Sequence, residues 1–139
     1  MTNFSDGTVS KLLASTGAVA GTYTVGKYPY GVAFDGLNIW VANSQGGTVT
    51  ELLASTGAVV GTYGVVLAPY GVAFDGTNIW VTGVAGGSSN GTVTKLLAST
   101  GAILAYYPVG SNPLGLAFDG TNIWVSNGNS NTVTRIPGN

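Results

Sequence analysis

A chain of 139 residues with 45% hydrophobic side chains and 23 glycines has the make-up of a packed, turn-rich domain rather than a disordered segment. Only 6% of the residues are charged and the net charge is -1, which leaves no basic surface to neutralise phosphates and argues against a nucleic-acid partner. With no Cys and no His, disulfides, thiolate metal sites and the commonest acid-base residue are all absent, and no cofactor is expected.

The chain is one unit written three times, over residues 7–46, 47–90 and 91–130, with a tail at 131–139. Between the first two units about 28 of 40 positions are identical. A period of roughly 40 residues suits four short strands per unit, the size of one propeller blade. Such near-identity fits recent duplication, excision from a longer array, or deliberate construction equally well. The opening residues, MTNFSDGTVS, show no basic region followed by an apolar run. No segment approaches a membrane span, so a soluble chain without a membrane partner is expected, with no compartment specified.

In chain order, residues 7–14 and 18–25 predict the third and outer strands of a first blade. Two complete blades follow. In TVTELLA, Val49, Thr50, Glu51 and Leu52 alternate as a half-buried strand should. Ser55-Thr56-Gly57 breaks that strand before AVVGTYGV, and LLASTGA is too short to be a helix. The run PYGVAFDGTNIWV divides at Asp75-Gly76, a dipeptide that supplies the positive backbone dihedrals of a tight hairpin, giving an inner strand near 69–74 and a second strand near 78–83. The four-residue difference between units falls in the loop at 83–90, GVAGGSSN, which carries no charge, ring or catalytic side chain. Residues 113–118 and 122–127 predict another inner and second strand, and 131–135 begin a further third strand. Short strands rich in Val, Thr, Ile, Tyr and Trp at even spacing predict an all-β fold of four-stranded antiparallel blades.

The succession NTVT, a Ser-Thr-Gly turn and then V-G-x-x-P-x-G-x-A-F-D-G-x-N-I-W-V-x-N resembles the repeats of the YVTN and NHL-like bacterial β-propellers. Pro29-Tyr30-Gly31, Pro69-Tyr70-Gly71 and Pro113-Leu114-Gly115 carry the likeness best. The resemblance implies a propeller fold and does not imply one activity, because propellers host many. Among similar proteins the virginiamycin B lyases are metal-dependent enzymes with an essential His. This chain has no His, so a lyase or hydrolase is the least supported reading and a non-enzymatic chain is expected.

Three blade equivalents with the register split between the two ends predict closure by oligomerisation. The carboxy-terminal strands of one chain are then completed by the amino-terminal strands of the next. The expected partner is therefore a second copy. A six-bladed homodimer is favoured, with a nine-bladed homotrimer as the alternative. At residues 131–135 the tail competes with a neighbour's residues 7–14, and the neighbour is expected to win.

Loops on one face of a propeller gather Tyr28, Tyr30, Asn43, Tyr70, Thr82, Asn112, Leu114, Asn127 and Asn129. Rings and amides of this kind suit a glycan, a peptide or another neutral ligand, as in a lectin-like module. The plainer reading has Tyr30 and Tyr70 plugging the channel and the Asn residues closing turns. Asp35, Asp75 and Asp119 recur as Asp-Gly-x-Asn. Three carboxylates on three blades are better explained by the turns than by calcium, which takes six to eight oxygens on one ion, and no metal site is expected. Trp40, Trp80 and Trp124 are expected to pack between blades. Lys11, Glu51 and Lys95 share one repeat position, where Lys11 and Lys95 read as solvated.

Overall fold

The computed structural model describes residues 1–84 and 90–138. Residues 85–89, most of the loop expected at 83–90, lie outside them. The described residues form fourteen strands in four antiparallel sheets. The first sheet holds Thr2–Asn3 (β1), Thr8–Leu12 (β2) and Val19–Thr24 (β3). The second holds Pro29–Phe34 (β4), Asn38–Asn43 (β5), Thr48–Leu53 (β6) and Val59–Gly64 (β7). Val72–Phe74 (β8), Asn78–Val84 (β9), Gly91–Leu97 (β10) and Ile103–Val109 (β11) make the third. Pro113–Phe118 (β12), Asn122–Asn127 (β13) and Thr132–Pro137 (β14) make the fourth.

Each inner hairpin turns at the Asp-Gly pair. Asp75 Oδ1 accepts the Thr77 and Asn78 amides at 2.9 and 2.6 Å, while Gly76 takes a φ of 98° that its missing Cβ permits. The expected strand at 69–74 shortens to Val72–Phe74. Tyr70 and Gly71 still bond the Thr82 backbone at 2.9 and 3.0 Å, and the Gly71 amide donates to the Thr82 hydroxyl at 2.8 Å.

The sheets stack face to face, and each interface has its own apolar cluster. Val9, Tyr23 and Val25 meet Val41, Ile39 and Leu52 between the first and second sheets. Trp40 and Val49 meet Val72, Ile79, Val81 and Leu96 between the second and third. Trp80 and Val93 meet Ile123, Val125 and Ile136 between the third and fourth. Strand β6 was expected to be half-buried. Instead its residues from Val49 to Leu52 are at most 4% exposed, because sheets cover it on both sides. The expectation that Lys95 is solvated is corrected for the same reason. Val93 and Lys95 share a face, so the lysine stem is buried against the neighbouring sheet and its ammonium lies 4.8 Å from the Trp80 ring. Lys11 is exposed, as expected, and donates to the Ala54 carbonyl at 3.0 Å.

The tail is a full strand rather than the beginning of one. Strand β14 pairs with β13 from Asn122↔Pro137 to Asn127↔Thr132, and its Ile136 is 4% exposed. Within this chain, then, β14 occupies the edge that a neighbour's residues 7–14 were expected to take. At the other end β1 occupies part of a second-strand position, pairing with β2 only at Thr2↔Val9 and Asn3↔Thr8. Strand β3 was expected at 18–25 and β2 at 7–14, and both fall within those limits.

Candidate functional site

Three aromatic side chains from the inner strands and their approaches gather on one side of the stack. The Tyr30 and Tyr70 rings meet edge to face at 5.1 Å, and Phe4 stacks on Tyr28 at 4.5 Å while meeting Tyr30 edge-on at 5.4 Å. Tyr28 and Tyr30 keep 39% and 50% of their surface exposed, so the row is half-wet. Leu114 holds the third of these repeat positions and is also exposed. Phe4 was not singled out from the sequence, since it precedes the first recognisable unit.

The backbone fixes this row. Tyr28, Ala68 and Asn112 occupy one repeat position, just before Pro, and all three have positive φ of 52°, 44° and 53°, a conformation few non-Gly residues adopt. At Tyr28 and Asn112 the left-handed turn aims the residue's own carbonyl at the second-to-third connection. Tyr28 O accepts the Ser44 amide at 3.0 Å, and Asn112 O accepts the Gly128 amide at 2.9 Å. The outer-to-inner and second-to-third connections therefore do lie side by side. Beside them, Ser5, Asp6, Gly7, Lys27, Tyr28 and Gln45 line an open cavity of about 330 Å³.

Three expected ligand-face residues are committed to the fold instead. Asn43 is fully buried, accepting the Gly26 amide at 3.0 Å and donating to Thr48 and Thr50 Oγ1 at 3.1 and 2.8 Å. Asn127 is 2% exposed and donates likewise to Thr132 and Thr134. Thr82, fully buried, passes its hydroxyl proton to the Leu114 carbonyl at 3.0 Å. Asn between strands with Thr five and seven residues later is the signal for this bond pair, and Asn3 makes it too, with Thr8 and Ser10 at 2.9 and 2.8 Å. The middle unit has Gly83 at that position, and its counterpart acceptor, Thr94 Oγ1, is buried with no partner among the described residues. A Cβ on Gly83 would lie 2.5 Å from Val66 Cγ2. A Gly26–Asn43 pair in one unit is thus a Val66–Gly83 pair in the next. Asn129 is exposed, and its Oδ1 receives a long bond of 3.4 Å from Asn112.

On the opposite side, each repeat aspartate holds an indole as well as its own turn. Asp35, Asp75 and Asp119 Oδ2 accept Trp40, Trp80 and Trp124 Nε1 at 2.8, 2.7 and 2.6 Å. Burial works against ionisation of Asp35 and Asp75. Bonds from the Trp indoles and from the amides and side chains of Asn38 and Asn78 outweigh it and hold both carboxyls below their usual range. The Trp124 indole, followed by the Asn122 and Thr121 amides, holds Asp119 well below it. Desolvation pushes Glu51 up, against the bond it accepts from Tyr63 at 2.8 Å, while burial and the Glu51 bond push the Tyr63 phenol up to about 12. No group of three His, Cys, Asp or Glu side chains that could hold a metal is found among the described residues.

The two ends of the stack are unlike its middle. Trp40 and Trp80 are fully buried; Trp40 stacks on Tyr63 at 5.5 Å, and Trp80 meets Tyr107 at 5.3 Å with the rings tilted by 34°. Trp124 is 42% exposed, with Val133 at 63% beside it, because no further sheet covers that face and no outer strand supplies a tyrosine. The first sheet has the reverse defect: Tyr23 is present and no tryptophan faces it. In its place is a cavity of about 160 Å³ lined by Val9, Tyr23, Val32, Ile39, Leu52 and Ala54 among others.

No protein-family model matches the sequence, and no curated protein does. Solved structures do match. A functionally unknown protein from Desulfotomaculum acetoxidans superposes with a TM-score of 0.82 at 16% identity, over 98% of this chain and 45% of that one. BamB from Moraxella catarrhalis gives 0.71 at 17% identity, over 94% of this chain and 38% of its own. Myxococcus xanthus glutaminyl cyclase gives 0.65 at 15%, over 93% and 56%. These are β-propeller proteins, and at such identities they show the fold alone. The chain is an all-β repeat protein of propeller type that spans less than two thirds of the length of each.

Proposed function

We propose that this chain is a non-enzymatic, self-assembling propeller of the YVTN and NHL-like kind, in which two copies join head to tail into a six-bladed ring. One observation carries the reading. Trp124 is 42% exposed although its two counterparts are fully buried, and a wet tryptophan at the end of a repeat stack is an interface residue without its partner. Each chain contributes two four-stranded blades and two incomplete sheets that together make a third. The low net charge, -1, permits two copies to approach without repulsion. The carboxylates of Asp35, Asp75 and Asp119 are tied to their turns and indoles, which argues against a hydrolytic acid-base pair.

Light scattering on the 139-residue chain across a concentration series tests this. A two-chain mass is expected, and a three-chain mass would mean a nine-bladed ring. A single-chain mass at every concentration would remove the proposal.

The half-exposed row of Phe4, Tyr28, Tyr30 and Tyr70 favours an accompanying role as a binding face for a neutral glycan or peptide, since rings supply apolar area to such ligands. Glycan-array binding that is lost in Tyr30→Ala would support this role. Failure across both glycan and peptide arrays would leave the scaffold alone.

A further inference from the structure

We infer that the cavity between the first and second sheets is an indole socket whose occupant is Trp124 of a second copy of this chain, delivered by exchange of strands. This rests on the head-to-tail reading above and specifies the residue and the route.

The cavity wall is a repeat of a known one. Val9, Tyr23, Val32, Ile39, Leu52 and Ala54 hold the same repeat positions as Val49, Tyr63, Val72, Ile79, Leu96 and Ala98, the residues clustered with Trp40 between the second and third sheets. What is missing from the set is the ring. A volume of about 160 Å³ is close to the ~150 Å³ that holds a benzene ring in an apolar cavity, and the lining is dominated by side chains that make poor partners for water. Lys11 stands at the rim in the position from which Lys95 lies 4.8 Å over Trp80, so an incoming indole meets a cation above its face.

The strand ladders show how the ring arrives. In the complete sheets, Trp40 pairs with Glu51 and Trp80 with Lys95. By the same register β13 of one copy pairs with β2 of the next, Trp124 opposite Lys11 and Asn127 opposite Thr8. Two existing pairings must give way. Strand β1 holds β2 through two residue pairs and a reciprocal bond pair between Met1 and Ser10 at 2.7 and 2.9 Å, and its release also frees Phe4 from Tyr28 and Tyr30. Strand β14 holds β13 through six residue pairs, and each of these contacts has an equivalent in the exchanged form. Asn127 exchanges the Thr132 and Thr134 hydroxyls for those of Thr8 and Ser10, which Asn3 now holds. Leu12 takes the place of Ile136 and is itself covered, since its counterpart Leu96 is fully buried whereas Leu12 is 42% exposed. Strand β2 brings β3 with it, and with β3 the outer strand and the tyrosine that the fourth sheet lacks. Because Leu12 is covered as Ile136 is released, the net gain that drives the exchange is the burial of Trp124.

Acrylamide quenching of tryptophan fluorescence over a dilution series tests the inference. Trp40 and Trp80 are fully buried, so the accessible signal belongs to Trp124, and its loss in Trp124→Phe verifies the assignment. The expected result is that Trp124 is quenchable in the dilute single chain and becomes protected, with a blue-shifted emission, in step with the rise in mass. Filling the socket by Ala54→Phe is expected to raise the concentration for half-assembly about tenfold or more while Trp124 stays intact. Growth of mass with Trp124 still quenchable would overturn the socket and leave the assembly reading standing. No growth of mass would remove both. Protection of Trp124 without growth of mass would place the ring within its own chain and would also overturn the inference.

Discussion

The two interfaces at the middle of the stack and the two faces at its ends are built from the same repeat, yet only the middle ones are finished. Trp40 and Trp80 have no exposed surface, an aspartate on the indole nitrogen and a tyrosine on the ring. Trp124 keeps the aspartate and loses the tyrosine, and 42% of it is wet. A repeat sequence thus specifies an interface only in pairs: half of each cluster comes from the next unit, so identical residues are core in one place and surface in another. The same holds for the inner-strand glycines. A Cβ on Gly71 would lie 2.5 Å from the Leu114 carbonyl and 2.7 Å from Leu116 Cδ2, whereas one on Gly115 would touch only Ser126 Oγ, at 3.3 Å.

The largest effect expected from breaking this comparison is on the tryptophans. Trp80→Ala should lose about 3–5 kcal/mol of stability in denaturant unfolding. Trp124→Ala, measured on the dilute single chain, should lose only about 1 kcal/mol because much of its area is already in water. Equal losses would contradict the difference in burial. Next come the glycines. Gly71→Ala should cost about 1–3 kcal/mol through overpacking against the neighbouring inner strand. Gly115→Ala should stay within about 0.5 kcal/mol in the single chain and weaken association, since the site that is open in one copy faces the neighbouring inner strand in a ring.

Smaller effects sharpen the comparison inside the stack. Thr50→Val removes the acceptor of the Asn43 bond and should cost about 1 kcal/mol, while Thr94→Val removes a hydroxyl with no partner and should be neutral or stabilising. Thermal melts of the two variants read the contrast directly. The smallest effect is electrostatic. The Glu51 carboxyl is raised above its ordinary value of 4.5 by desolvation, so the fold favours its protonated form, and that preference is fully present below the unfolded value and lost as pH rises through the folded one. Glu51→Gln is therefore expected to melt slightly higher than the parent at pH 7, with the gain vanishing in melts run below the unfolded value.

Much of this was legible in the residues. Asp-Gly followed by Asn-Ile-Trp predicted the hairpins and put Trp40 and Trp80 between sheets, because turn dihedrals and strand alternation are local properties; Trp124, expected between blades too, is 42% exposed. The burial of Lys95 was missed because a charge on a strand reads as a solvated face. The signal against that reading was Val93, two residues earlier on the same face. Asn43 and Asn127 read as ligand-face residues because they stand where the second strand leads to the third and amides there can orient a ligand, but the Thr residues five and seven positions later accept their amide protons. The repeat NTVT at 131–134 announced β14, whereas β1 lies before the first recognisable unit and gains its structure from β2, information that no local pattern carries. The socket was illegible for a deeper reason: it is defined by a ring that the surrounding residues expect and their own end of the chain does not supply.

If the first sheet of one copy and the fourth sheet of the next are two parts of one blade, a cross-link between chains will join them. The protein has no cysteine, so Ser10→Cys and Val125→Cys chains, each carrying one thiol, can be mixed and oxidised. Residue 125 then stands opposite residue 10 of the other chain, as Val41 stands opposite Thr50 and Val81 opposite Thr94. A disulfide between the two different chains is expected in preference to like-with-like pairs. A mixture that stays uncross-linked while assembled, or that forms only like-with-like pairs, would contradict the shared blade.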